Sequence, residues 1–202
     1  MGKTRDNATR QRIIDTAMAL FRRKGMDGLS MRELAEEAGV NKGLLHYYFK
    51  TKEAIFQEVF AHHAGLLWAD VLVIVEGPGD LGTKLPRMVD RYFDLLDQYP
   101  SLPAFVLFEV QRDPSMLLKT AAKDAMLRAA TIVEPELRRL RLPAERASGV
   151  QFMLDLVGLC AFTYGMLPGV VKVLGLNKAQ RNAFLLQRKT HIIALLQQGI
   201  EP

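Results

Sequence analysis

The sequence predicts an all-α fold of about nine helices, with three short helices followed by a larger bundle. Three observations predict it. Apolar residues recur at three-and-four spacing along most of the 202-residue chain, the period of amphipathic helices rather than strands. Capping residues, glycines and prolines punctuate that pattern at intervals suited to helices. The one stretch that reads as a strand running into a glycine turn, Val71 to Gly82, has no second strand after it.

Taken in order, a first helix is expected from near Thr9. Its apolar face is Ile13, Ile14, Ala17, Leu20 and Phe21, and Gly25 and Gly28 close it. Ser30 opens a second helix, and the Ser30/Glu33 spacing is that of a capping box. Gly39 ends that helix and Asn41 caps a third. Thr51 opens a fourth, which runs through Phe56, Phe60, Leu67 and Val71 to about Val75. The segment Gly77-Pro78-Gly79-Asp80-Leu81-Gly82 has the G-x-G-x-x-G spacing of a dinucleotide-binding turn, with an acid about 20 positions on at Asp97. Such a turn needs a strand before it and repeated βαβ alternation after it. Here a helical pattern precedes it, and the segment around Asp97 is again helical, so Glu76 to Gly82 reads as a loop between helices. Further breaks fall at Tyr99 to Pro103, Arg112-Asp113-Pro114, Leu142-Pro143, Leu167-Pro168-Gly169 and Gly175 to Asn177, and Pro135 is expected to kink or interrupt its helix. They divide the remainder into about five helices. The domain division expected is 1–50 and 51–202.

Composition narrows the function classes. Hydrophobic residues make up 49% and charged residues 24% of the chain, which argues for a packed core. The net charge of +5 favours an acidic partner such as nucleic acid. Cys160 is the only cysteine, so neither an internal disulfide nor a C-x-x-C metal pair exists, and its apolar neighbours make it a core residue. The basic start MGKTRDNATRQR has no apolar signal region. The longest apolar run, Leu156 to Val171, falls short of a bilayer span of about 20 residues, which points to a cytoplasmic protein. His62 and His63 point about 100° apart on a helix and cannot chelate one ion. No G-x-S-x-G, H-E-x-x-H or P-loop motif occurs. No metal, no cofactor and no catalytic set is therefore expected, and the chain is not read as an enzyme.

The informative segment is SMRELAEEAGVNKGLLHYYFKTKE, Ser30 to Glu53. Leu34, Ala35 and Ala38 form one apolar face, with a small residue where two helices cross. Gly39 makes the tight turn, and Leu45 and Phe49 face back. This is the layout of a helix-turn-helix. The outer face of the third helix then carries Lys42, Gly43, His46 and Tyr47. Lys42 and His46 can donate to base acceptors, Gly43 lets backbone approach a groove, Leu44 can touch a thymine methyl, and Tyr47 can donate to phosphate. Asn41 and Tyr48 flank this face. Thr51 with Lys52, and Ser30 with Arg32, each place a helix N-terminus beside a cation, a natural phosphate site. Lys3, Arg5, Arg10 and Arg12, against Asp6, form a basic arm able to follow a DNA backbone.

Residues 9 to 56 resemble the N-terminal domain of the TetR family of bacterial transcription regulators. Phe21, Gly25, Ser30, Arg32, Leu34, Ala35, Ala38, Gly39, Val40, Gly43, Leu45, Tyr48, Phe49, Lys52 and Glu53 fit its pattern in order. One departure is His46, where relatives often have tyrosine, so base preference does not carry over. The resemblance implies a homodimer that binds a palindromic operator on double-stranded DNA. It also implies a small-molecule pocket in the C-terminal bundle, whose occupation spreads the two DNA-reading heads, and no membrane role. Repression is the expected sign of regulation. Pocket candidates are Trp68, Tyr92, Phe105, Phe108, Met126, Phe152, Met153, Cys160, Phe162 and Tyr164, which would suit a hydrophobic ligand, with Glu109, Gln111 and Asp155 as polar contacts. Gly158, Ala161 and Gly165 form a small-residue face on one helix. With Phe184, Ile192 and Leu195 of the last helix, that face suits the dimer interface that the resemblance implies.

Overall fold

The computed structural model describes residues 2–24, 28–112, 114, 121–140, 142 and 147–200; the side chains of 2–5, 22, 63, 105, 109, 112, 121 and 122 are also outside the description. The described residues form nine helices and no strand: α1 (Gly2–Lys24), α2 (Met31–Glu37), α3 (Lys42–Tyr48), α4 (Lys52–Glu76), α5 (Leu81–Gln98), α6 (Leu102–Arg112), α7 (Ala121–Arg139), α8 (Gly149–Leu174) and α9 (Lys178–Ile200). Two compact units divide the chain, Met1–His63 and Ala64–Pro202.

In the first unit the expected apolar faces close on one another. Ile13, Ala17, Leu20, Leu34, Leu45 and Ile55 are fully enclosed. Phe21 and Phe56 meet edge to face with ring centroids 4.6 Å apart, a favourable aromatic geometry. The α2–α3 turn follows from hydrogen bonding. Gly39 takes φ +62°, the left-handed conformation that glycine adopts without strain. The N–H of Val40 then returns to the Ala35 carbonyl at 3.0 Å and that of Gly39 to Glu36 at 3.2 Å, the paired bonds of a Schellman cap. The start of α1 differs from expectation. The helix begins at Gly2, seven residues before Thr9, because apolar spacing marks only buried turns and nothing in residues 3–8 breaks a polar helix. The expected separate arm is therefore helical. Gly25, expected to help close α1, lies outside the described residues.

In the second unit α8 packs against α5, α6, α7 and α9. Its start lies against α7: a Cβ on Gly149 would stand 2.0 Å from the Ala130 carbonyl oxygen. Asp80 caps α5 through the N–H of Thr83 at 2.8 Å, so the G-x-G-x-x-G segment turns one helix into another. Lys84, almost fully buried, donates to the Val75 carbonyl at 2.9 Å and lies 3.4 Å from the Glu136 carboxylate, pairing the charge that burial would otherwise penalise. The expected break at Pro168 is corrected, and Pro135 does not interrupt its helix. α7 runs through Pro135 and α8 through Pro168. A proline in a helix loses one hydrogen bond and crowds the carbonyl one turn back, and the packed turns on either side sustain the helix. Asp113, expected to cap a helix, lies outside the described residues. The continuity of α8 also corrects the apolar-run argument. Both α4 and α8 are long and apolar enough to span a bilayer by length and composition, and only 28% of the apolar window of α8 is buried within the chain.

Candidate nucleic-acid interface

α3 is seven residues long and is held at both ends. The Asn41 Oδ1 accepts from the Leu44 N–H at 2.7 Å, and the Phe49 N–H returns to the Leu45 carbonyl at 2.9 Å. Leu45 and Phe49 are buried, which leaves the opposite face to water. Lys42, Gly43, Leu44, His46 and Tyr47 are all exposed, Tyr47 at 68%. Thr51 Oγ1 accepts from the Ala54 N–H at 3.1 Å and so caps α4 beside Lys52, which is half-buried. Ser30 Oγ accepts from the Glu33 N–H at 3.1 Å. The other half of the expected capping box is taken elsewhere: the Glu33 carboxylate binds Lys24 Nζ at 2.5 Å.

Three of the expected DNA-contacting residues are engaged within the chain. Arg32 Nε donates to Glu36 at 2.8 Å, one helical turn away on the exposed surface, and that carboxylate raises the guanidinium pKa. Arg10 donates to Glu58 at 2.5 Å and lies 5.4 Å over the Phe49 ring, so it fastens α1 to α4 and to the end of α3 rather than extending as part of an arm. Tyr48 is half-buried and its hydroxyl donates to Asp6. That bond, with some loss of water, raises the phenol pKa, while Thr9 lowers it by hydrogen bonding to the same group. Arg12 is exposed; the side chains of Lys3 and Arg5 lie outside the described residues. The sequence pattern carried no sign of the Tyr48–Asp6 and Arg10–Glu58 pairs, because their partners are 42 and 48 positions apart.

The C-terminal candidates separate in the same way. Trp68, Phe152, Met153, Cys160 and Tyr164 are buried in the core of the second unit, and Tyr92 and Met126 are half-buried. Tyr164 donates to Asp97 at 2.6 Å and meets Phe93 edge to face. Burial pushes the Cys160 thiol up to about 12; the Tyr92 phenol is raised by loss of water around its hydroxyl and then by nearness to Cys160. Phe108 does not join them: it is 64% exposed, on the outer side of α6, and the exposed Phe162 likewise faces away. The Phe105 and Glu109 side chains lie outside the described residues, and Gln111 and Asp155 face solvent. Among the described residues of this unit are two open clefts. One, of about 670 Å³, lies between Gly79–Gly82, Glu136, Arg139 and Gln197. The other, of about 260 Å³, lies between Phe152, Asp155, Leu159 and Leu195. Of the pocket candidates, Phe152 and the polar Asp155 lie on the wall of the second.

On α8, Gly158 and Gly165 are exposed and Ala161 is half-exposed, within an outward stripe that includes Leu154, Phe162, Met166 and Val173. On α9, Leu195 is exposed and Phe184 half-buried. Ile192 is a correction. It is fully enclosed within its own chain, because with Leu185 and Leu196 it forms the inward face of α9, so no second copy can reach it.

A helix-turn-helix with a polar, cation-bearing outer face, in a chain that continues into a helical bundle, is a layout suited to a DNA-reading head. Residues 13–59 match the model of the bacterial regulatory proteins of the tetR family. The chain is 40% identical over 60 residues to the transcriptional regulator AcrR of Shigella flexneri, an overlap of 29% of this chain and 28% of that one. It is 29% identical over 84 residues to the nicotine-responsive transcriptional repressor HdnoR of Paenarthrobacter nicotinovorans, covering 42% and 43% of the two chains. These matches span less than half the length of either relative. The fold extends further: FadR of Bacillus subtilis, solved with stearoyl-CoA, superposes with a TM-score of 0.62 over 94% of this chain and 98% of its own, at 18% identity.

Proposed function

We propose that the chain is a ligand-responsive transcription regulator, a repressor, that binds a palindromic operator as a homodimer in the cytoplasm. One observation carries the reading: α3 buries Leu45 and Phe49 and exposes Lys42, Gly43, Leu44, His46 and Tyr47 together. An exposed helix face of one cation, one glycine and two polar rings suits the floor of a major groove. Lys42 and His46 read bases, Tyr47 and Lys52 bind phosphate, and Ser30 and Thr51 offer hydroxyls at two helix starts. In this reading residues 1–50 bind DNA, and residues 51–202 supply the dimer contact and the effector site.

The exposed apolar stripe of α8 supports the dimer. The stripe around Gly158, Ala161 and Gly165, with Leu195 and Phe184 of α9, is the face we assign to the second copy. The effector site is assigned to the buried Trp68, Phe152, Cys160 and Tyr164 with the half-buried Tyr92 and Met126, and its apolar character suits a small hydrophobic effector. The stearoyl-CoA in FadR and the nicotine response of HdnoR support that class of ligand. Effector and DNA are coupled by one free energy, so each weakens the other's binding by the same factor. Selection from a random-sequence duplex library tests the reading. Recovery of a palindrome is expected; recovery without sequence preference would overturn it.

A further inference from the structure

The first two turns of α1 precede the family match, which begins at residue 13, yet they hold the DNA-facing helix. Asp6 and Thr9, three residues apart on α1, both bond the Tyr48 hydroxyl at the end of α3. Tyr48 in turn packs edge to face against Tyr47, with centroids 5.3 Å apart, and Tyr47 projects from the exposed face. One turn further along α1, Arg10 covers the Phe49 ring and reaches Glu58. An exposed carboxylate beside a phosphate-binding face opposes DNA electrostatically, so its place next to that face calls for a reason.

We propose that Asp6 is a positioning residue for the DNA-reading helix: its carboxylate fixes the Tyr48 hydroxyl and, through Tyr48, the ring of Tyr47. Tyr48 is then committed inside the head, and Tyr47 alone of the two donates to phosphate. The inference rests on the DNA-binding reading for its effect on the operator, but not for the contact itself.

The test compares Asp6→Ala with Asp6→Asn in the full-length protein. Both variants lack the charge, and only asparagine keeps an oxygen able to accept the Tyr48 proton. On a palindromic duplex selected by the unaltered protein, Asp6→Ala should bind about three- to tenfold more weakly than Asp6→Asn, the worth of one hydrogen bond. On a scrambled duplex Asp6→Ala should again bind more weakly than Asp6→Asn, because a phosphate contact serves every sequence. Tyr48→Phe should cost the same factor in the Asp6→Asn background and nothing in the Asp6→Ala background. Equal operator affinity of Asp6→Ala and Asp6→Asn, or a full Tyr48→Phe cost in both backgrounds, would overturn the proposal; the second result would make Tyr48 a phosphate donor. Amide hydrogen exchange of α3 in the free protein gives an arm independent of DNA, with exchange about threefold faster in Asp6→Ala than in Asp6→Asn. Equal exchange overturns the positioning role. Faster exchange in a protein that selects no duplex would keep that role and sink the DNA reading alone.

Discussion

Gly43→Ala separates what the chain needs from what its partner needs. Gly43 sits in the first turn of α3, on the exposed face. A Cβ there would meet the Asn41 Oδ1 at 3.4 Å and no other atom within 4 Å, which is ordinary van der Waals contact. The backbone is helical, with no positive φ at this position. Nothing within the chain therefore requires glycine, and its presence costs the helix about 0.5–1 kcal/mol relative to alanine. Removing that cost should raise the melting temperature by roughly 1–4 °C if the chain unfolds as one cooperative unit. Against DNA the sign reverses. The added methyl holds the helix off the groove, and the loss should be on the order of tenfold in operator affinity, comparable to one mismatched base pair. Thermal melting and fluorescence anisotropy on a labelled operator read the two effects separately. A higher melting temperature with unchanged operator affinity would refute the assignment of this face to DNA. A lower melting temperature would refute the local geometry.

Lys42→Ala should relax base preference by about 1–3 kcal/mol at one position of the half-site, while Lys52→Ala should lower the salt slope by about one with preference kept; unchanged binding in both would exclude these contacts. Gly158→Leu meets nothing within 4 Å of its Cβ in its own chain, so it should leave the subunit folded and shift sedimentation from dimer to monomer. A dimer of unaltered stability would remove α8 from the interface. Gly149→Ala brings its Cβ 2.0 Å from main-chain oxygen and 2.8 Å from main-chain carbon of Ala130, atoms that no rotamer change can move, and should cost about 3 kcal/mol in urea unfolding; an unmoved midpoint would contradict that helix crossing. Cys160, with its thiol pushed up by burial to about 12, should resist thiol reagents at pH 8 until the protein is unfolded. Its contribution to stability is fully present below pH 9 and lost between pH 9 and 12, where the unfolded chain gives up a proton that the folded chain keeps. Cys160→Ala should flatten the alkaline fall, and rapid labelling of the native thiol would contradict the burial.

The helix-turn-helix was legible because its determinants are local. The Ser30 and Asn41 caps, the left-handed Gly39, and the inward Ala35 and Leu45 are each fixed within a few residues of sequence. The start of α1 was not legible, because a polar helix carries no apolar period. Pro168 misled for a related reason: a proline costs a hydrogen bond and a steric clash one turn back, and packing on both sides outweighs them. On α9, apolar residues lie on more than one face, and spacing cannot say that Ile192 turns inward while Leu195 turns out. Phe108 shows the same limit on α6. The contacts of Asp6 with Tyr48, Arg10 with Glu58 and Lys84 with Glu136 join residues 42 to 52 positions apart, and they exist only once the helices have packed.

The most direct measurement is the binding of the full-length protein to random-sequence duplexes, selected through several rounds and sequenced, with Lys42→Ala carried in parallel. The account predicts a single palindromic consensus for the unaltered protein and a broadened half-site for Lys42→Ala. Recovery of the same unselected mixture by both proteins, lost at moderate salt, would contradict it.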